Sequence, residues 1–185
     1  FDNNIPVGAC QFSDLTVFSF HAIKIITSGE GGAVLTNSPS LAKQVQMLRS
    51  HGVTKAPAEF QTEQAGPWHW EQKMLGYNYR MSDIQAALGS SQLKKTHEFV
   101  KQRQKLAQQY EALLSDLPLS LPPLDSHSSW HLYVVQLPAE LEPQARSRLF
   151  NVFEEHSIGL QVHYMPIYRH PFYQQFQLGE CRNAE

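Results

Sequence analysis

The chain has 185 residues, 42% of them hydrophobic and 17% charged, the balance of a globular protein with room for one or two domains. Its 15 Lys and Arg nearly cancel 17 Asp and Glu, leaving a formal net charge of -2, too even for a surface built to hold a nucleic acid backbone. Cys10 and Cys181 stand far apart with no CxxC spacing, which predicts neither a disulfide framework nor a zinc knuckle and makes a reducing cytoplasm the expected setting.

No apolar run approaches the length of a membrane helix, and the opening FDNNIPVGAC has neither the basic start nor the apolar core of a signal peptide. The chain begins without Met and closes on the polar CRNAE, so both ends read as cuts through a longer protein.

Leu15-Thr16-Val17-Phe18-Ser19-Phe20 is rich in β-branched and aromatic residues, and Gly32-Ala33-Val34-Leu35-Thr36 is a second short apolar run; two strands are predicted. HAIKIITSGEGG lies between them and its glycines mark a turn, so Lys24 emerges at a strand end, where sites collect in α/β folds. Ser38-Pro39 then predicts an N-cap and first helical residue, with Leu41, Val45 and Leu48 at helical spacing until Gly52.

From Thr54 to Gln72 the sequence turns irregular around Trp68-His69-Trp70, the composition of a surface or interface loop. Ser82-Asp83-Ile84-Gln85 matches a capping box, and the spacing from Ile84 to Leu113 predicts a helix of about thirty residues with a bend at Gly89. After the Pro-rich LSDLPLSLPPLD come a predicted strand at Trp130 to Leu137, a helix at Glu142 to His156 and a strand at Leu160 to Met165. The basic residues Lys94, Lys95, Lys101, Arg103 and Lys105 are spread along a glutamine-rich helix and read as a solvated face.

A lysine that attacks a carbonyl must present a neutral amine, which apolar burial favours. Lys24 is flanked by Ile23, Ile25 and Ile26, with Ser19 and His21 before it and Ser28-Gly29-Glu30-Gly31-Gly32 after it, and hydroxyls and turn amides of this kind can hold a phosphate. The nine histidines show no HExxH, and His127 and His131 flank the predicted strand start without an evident third ligand, so no metal is expected.

FSFHAIKIITSGEGGAVLTN resembles the lysine motif of the DegT group of nucleotide-sugar aminotransferases, within the aspartate-aminotransferase-like enzymes that use pyridoxal 5'-phosphate (PLP). LGYNYRMSDIQAALGSSQL, SSWHLYVV and GLQVHYMPIYRHPFYQ are similar to later parts of those enzymes, in the same order, and GPWHWEQKMLGYNYRM narrows the likeness to enzymes that aminate UDP-linked 4-keto-6-deoxy-N-acetylhexosamines toward pseudaminic acid.

The resemblance implies an α/β fold: residues 1–95 as the C-terminal part of the large PLP-binding domain, and 96–185 as an incomplete small α+β domain. It implies that Lys24 bonds the cofactor and shuttles the proton, Ser19 contacts the phosphate, His21 lies beside the ring, and Asn78 reaches a phosphate in the partner subunit of a homodimer. His163 and Tyr164, with Arg80, would line the sugar pocket, the substrate being a nucleotide-linked keto sugar and the amino donor glutamate.

The likeness leaves out an upstream portion that would supply the aspartate on the pyridine nitrogen, a stacking ring and an early phosphate-binding turn; Asp2 and Asp14 match neither role. The 185 residues alone are therefore expected to be weak or inactive as a transaminase. A truncated, non-catalytic relative that oligomerises, or a module that binds only the sugar nucleotide, accounts for the same residues.

Overall fold

A computed structural model describes residues 5–142, 144–176 and 179. The chain groups into two compact units, one of Phe1–Leu117 with Leu121–Val135 and one of Pro118–Ser120 with Gln136–Glu185.

The first unit is organised by a hairpin. β1 (Thr16–Ser19) pairs antiparallel with β2 (Gly32–Leu35), Ser19 facing Gly32 and Thr16 facing Leu35, as the two apolar runs predict. The residues between them fold back on β1: Ser28 N–H donates to the Phe20 carbonyl at 2.9 Å and Phe20 N–H to the Gly31 carbonyl at 2.8 Å. Gly32 is required at the hairpin mouth, since a Cβ there would lie 2.6 Å from the Phe18 carbonyl oxygen.

α1 (Pro39–Leu48) starts where its sequence says, with the Ser38 hydroxyl accepting Leu41 N–H at 3.4 Å and Pro39 at the first helical position. It ends through His51 and Gly52, both with positive φ, which turn the chain into the two-residue strand β3 (Val53–Thr54), paired antiparallel with β4 (Glu71–Gln72). Residues 77–79 then run beside the end of α1, with Tyr77 N–H on the Leu48 carbonyl and Tyr79 N–H on the Arg49 carbonyl.

α2 (Asp83–Leu93) has both halves of its capping box, and α3 (Thr96–Leu114) follows. The predicted single helix is thus two helices. The break falls at Lys94-Lys95, where Lys95 leaves helical geometry at φ -100 and ψ 2, and not at Gly89, which stays helical. Gly89 faces the turn that carries Lys24: a Cβ there would sit 3.5 Å from Ser28 Cβ, an ordinary van der Waals contact, so α2 lies against that turn. α3 buries Ala107, the most fully buried apolar side chain among the described residues, and stacks Tyr110 on Tyr133 of the 121–135 segment at 5.0 Å.

In the second unit an antiparallel bridge joins Ser120 and Gln136, and α4 (Ala145–Glu155) is followed by a 3-10 turn at Ile167–Arg169 and α5 (Pro171–Gln174). The predicted helix at Glu142 to His156 is present in this shorter form.

The strands predicted at Trp130 to Leu137 and Leu160 to Met165 are not formed. A strand needs a neighbour to take its N–H and C=O groups, and in the first segment Gln136 alone has one, while Trp130 sits at φ 50, which no strand tolerates. Both segments have the residue types of strands without the hydrogen-bonded partner. Large apolar side chains stand open over the described surface, Phe12 at 86% and Ile84 at 84% exposure among them. Among the described residues no helix is long and apolar enough to cross a membrane, and no cluster of His, Cys, Asp or Glu could hold a metal ion. Cys10 is a free thiol; Cys181 lies outside the described residues.

Candidate functional site

The site is built on the β1–β2 hairpin. Lys24 sits on a tight turn in which its own N–H donates to the His21 carbonyl at 2.9 Å. Ser19, the last residue of β1, accepts the His21 N–H on its hydroxyl at 3.3 Å, so the serine, the histidine and the lysine occupy one short, mutually bonded stretch.

The turn is fixed from behind. Ser28 is 2% exposed and donates its hydroxyl to the Glu30 carbonyl at 2.9 Å, and Thr27 Oγ1 both donates to the Phe20 carbonyl and accepts Gly29 N–H. Gly29 and Gly31 take positive φ, and a Cβ on Gly31 would fall 2.4 Å from Ser28 Oγ and 2.6 Å from Met81 Cε. Met81 therefore closes over the turn, which brings the 77–81 segment alongside it.

Lys24 is half-buried and its Nζ lies 3.3 Å from Nε2 of His131, a residue 107 positions away. Among the described residues no carboxylate comes within ion-pair range of Lys24; Glu30 faces His21 instead, Nε2 to Oε1 at 3.6 Å. The apolar shielding predicted for the lysine is partial, because Ile25 and Ile26 are half-buried whereas Ile23 is exposed.

His131 was missed as a partner of Lys24 because its sequence signal, one histidine in SSWHLYVV, carries no spacing relation to the lysine motif. Its backbone is anchored by α3: Arg103 Nη1 donates to the Trp130 carbonyl at 3.1 Å and the His131 carbonyl at 3.2 Å, and Gln104 Nε2 to the Ser126 carbonyl at 2.6 Å. Below it, Tyr133 donates its hydroxyl to Glu111 at 3.2 Å, and burial first, then that bond, pushes the phenol above its usual range.

Asn78 and Arg80 are exposed on the 77–81 segment, Asn78 bridged to Ser50. His163 and Tyr164 belong to the second unit, adjacent and exposed, with ring centroids 4.3 Å apart. The structure thus gathers Ser19, His21 and Lys24 on one hairpin and sets Asn78 and Arg80 on the segment packed beside it.

The donor set fits PLP. A lysine with, among the described residues, no carboxylate in ion-pair range, on a turn whose neighbours offer hydroxyls and an imidazole, suits an amine that must bond a carbonyl and a site that must accept a phosphate.

Residues 6–185 match the DegT/DnrJ/EryC1/StrS aminotransferase family. The chain is 37% identical over 186 residues to the UDP-4-amino-4,6-dideoxy-N-acetyl-beta-L-altrosamine transaminase of Helicobacter pylori, covering 98% of this chain and 46% of that protein. It superposes on Helicobacter pylori PseC, an aminotransferase of pseudaminic acid biosynthesis, with a TM-score of 0.83 at 36% identity, over 94% of this chain and 45% of that one. The aminotransferase TlmJ of Streptoalloteichus hindustanus gives a TM-score of 0.79 at 27% identity, over 95% and 44%. The chain spans about half the length of the relatives it matches.

Proposed function

The chain belongs to the DegT/DnrJ/EryC1/StrS aminotransferase family, and on that premise we propose that it carries the PLP-binding lysine, Lys24, of an enzyme that moves an amino group onto a nucleotide-linked 4-keto-6-deoxy sugar. The observation that carries this reading is the position of Lys24: on a glycine-shaped turn at the end of β1, half-buried, with an imidazole and no carboxylate as its described partner.

In this reading Lys24 Nζ would hold the cofactor and, once released from it, would carry the proton between the cofactor carbon and the substrate carbon that gains the amine. Bound PLP supplies the electron sink for the charge left on that carbon. Ser19 Oγ would donate to the cofactor's phosphate, and His21, restrained by its N–H bond to Ser19 and facing Glu30, would lie beside the ring. Asn78 reaches a phosphate in the second subunit of a homodimer, and His163, Tyr164 and Arg80 bind the sugar nucleotide. Glutamate is the amino donor, and the reaction takes place in the cytoplasm.

By the same resemblance residues 1–95 end the large PLP-binding domain and 96–185 form the incomplete small domain, a division that cuts the first compact unit between α2 and α3.

The test is to add PLP to the purified chain, record the visible absorbance of the lysine-bound cofactor, trap it with borohydride and map the adduct. A trapped adduct on Lys24, lost in Lys24→Ala, is expected; labelling spread evenly over exposed lysines would overturn the reading.

A second reading, a non-catalytic module that self-associates, is favoured by the open apolar side chains of the described surface, such as Trp68 at 74% exposure. A stable oligomer by light scattering with no cofactor absorbance would select it.

A further inference from the structure

We propose that His131 is a positioning residue for Lys24, its Nε2 sharing one hydrogen with Nζ across 3.3 Å, and that Arg103 fixes the contact by holding the backbone of Trp130 and His131. This rests on Lys24 being the cofactor lysine.

Imidazole suits an amine that must gain and lose a proton. A carboxylate can only accept, and would fix the lysine as an ammonium; a ring nitrogen accepts from the ammonium in one tautomer and donates to the neutral amine in the other. The contact therefore persists on either side of the proton transfer. A free lysine side chain also carries rotamer entropy, and holding its head in place removes part of that cost before the amine reacts.

The backbone around His131 supports a positioning role. Trp130 occupies φ 50, a conformation that persists in a non-glycine residue when its surroundings over-determine it. They do so here: Arg103 holds the two carbonyls from α3, Trp130 N–H donates to Ser128 Oγ at 3.1 Å, and the indole Nε1 donates to the Asp125 carbonyl at 3.1 Å. These bonds set the carbon from which the His131 ring projects toward Lys24. The ring is thus held by a helix distant in sequence from the lysine turn.

The experiment uses the full 185-residue chain and two readouts. Short pulses of reductive methylation, quantified by peptide mass spectrometry, report Lys24 relative to the exposed Lys94, Lys95 and Lys101; borohydride trapping of PLP reports adduct at Lys24. In His131→Phe, methylation of Lys24 is expected to rise toward the exposed lysines by roughly fivefold, the ratio equivalent to one hydrogen bond of about 1 kcal/mol. Trapped PLP at Lys24 should fall by a similar factor. His131→Asn, which keeps a donor and an acceptor, should recover part of both, and Arg103→Met should shift both in the same direction as His131→Phe.

If His131→Phe does not fold, the ring-nitrogen chemical shifts of His131 in histidine-labelled chain, with and without Lys24→Met, read the same contact. Shifts that do not move with Lys24→Met, or a folded His131→Phe with unchanged Lys24 methylation, would overturn the proposal. Methylation that responds to His131→Phe in a chain that traps no PLP would instead sink the cofactor reading and leave the contact standing.

Discussion

Glu71 accepts both the main-chain N–H of Thr62, at 2.8 Å, and the Thr62 hydroxyl, at 2.6 Å, on the same oxygen, Oε1. Gln61 N–H donates to Oε2 at 2.8 Å, the Lys73 ammonium pairs with that same oxygen, and His69 Nε2 stands 3.5 Å from Oε1. One carboxylate thus ties both ends of the loop that presents Trp68 and Trp70, and Phe60 packs edge-on against His69 inside it.

The Lys73 bond first, then those from Thr62 and Gln61, hold the Glu71 carboxyl well below the usual carboxylate range. A group with a depressed folded pKa stabilises the fold above its unfolded value of about 4.3, and that contribution is lost as the pH falls below it toward the folded value. Trp fluorescence should therefore report a loosened loop on acidification below pH about 4. At neutral pH, Glu71→Gln should reproduce the loosening, read as faster proteolysis between Phe60 and Lys73. Unchanged proteolysis in Glu71→Gln would show that the loop is held by other bonds.

Gly52 permits the crossing of two backbones. It sits at φ +67, and a Cβ there would fall 1.8 Å from the Met74 carbonyl oxygen, on the segment whose Lys73 N–H donates to the Gly52 carbonyl at 2.7 Å. Gly52→Ala should cost more than about 2 kcal/mol, from the left-handed strain plus displacement of the 73–76 segment. Gly159, with nothing within 4 Å of its Cβ position, is the control, and Gly159→Ala should stay within about 0.5 kcal/mol. Denaturant midpoints of the two variants decide the matter; equal midpoints would show that the crossing can relax.

Ser82 and Gln85 close the capping box of α2, the hydroxyl accepting Gln85 N–H at 3.4 Å and the Gln85 amide oxygen accepting Ser82 N–H at 3.0 Å. Because Gly89 of the same helix lies on Ser28, fraying at this end should reach the lysine turn. Ser82→Ala is expected to cost about 1 kcal/mol and to raise amide exchange in the first turn of α2 and at Ser28 together. Exchange confined to α2 would separate the helix from the turn.

What was legible in the sequence is what depends on near neighbours. Ser38-Pro39 and the Ser82–Gln85 box act within one helical turn, and the β1–β2 hairpin is one local unit whose Gly32 needs no distant residue to explain it. The Lys24 turn was found for the same reason. Trp130 to Leu137 was misread because β-branched and aromatic composition reports fitness for a sheet, whereas a strand requires a paired edge that composition does not specify. His131 was invisible as a partner of Lys24 because the contact depends on α3 carrying Arg103 to a loop 107 residues after the lysine. The helix break at Lys94-Lys95 has no Gly or Pro to mark it, whereas Gly89, the residue that suggests a bend, stays helical.

Ser19 offers the sharpest separation of cofactor binding from chain folding. Its hydroxyl lies at the end of β1, exposed, and accepts the His21 N–H at 3.3 Å, so the oxygen keeps a proton to donate. A phosphate that takes that proton gains a charge-assisted bond, of about 1.5–3 kcal/mol. Ser19→Ala should therefore lower PLP trapped at Lys24 by roughly tenfold or more at limiting cofactor, since each 1.4 kcal/mol is a factor of about ten. Pyridoxal without its phosphate has nothing to lose and should be trapped equally by both chains. The hairpin itself should persist, because the β1–β2 ladder is main-chain bonded and the Ser28 and Thr27 bonds behind the turn are untouched. The measurement is adduct at Lys24 by peptide mass spectrometry across a PLP titration and a parallel pyridoxal titration, with far-UV circular dichroism as the folding control. Equal loss with both aldehydes would mean that Ser19 shapes the turn and does not touch the phosphate, and no loss with either would move the phosphate contact to another residue.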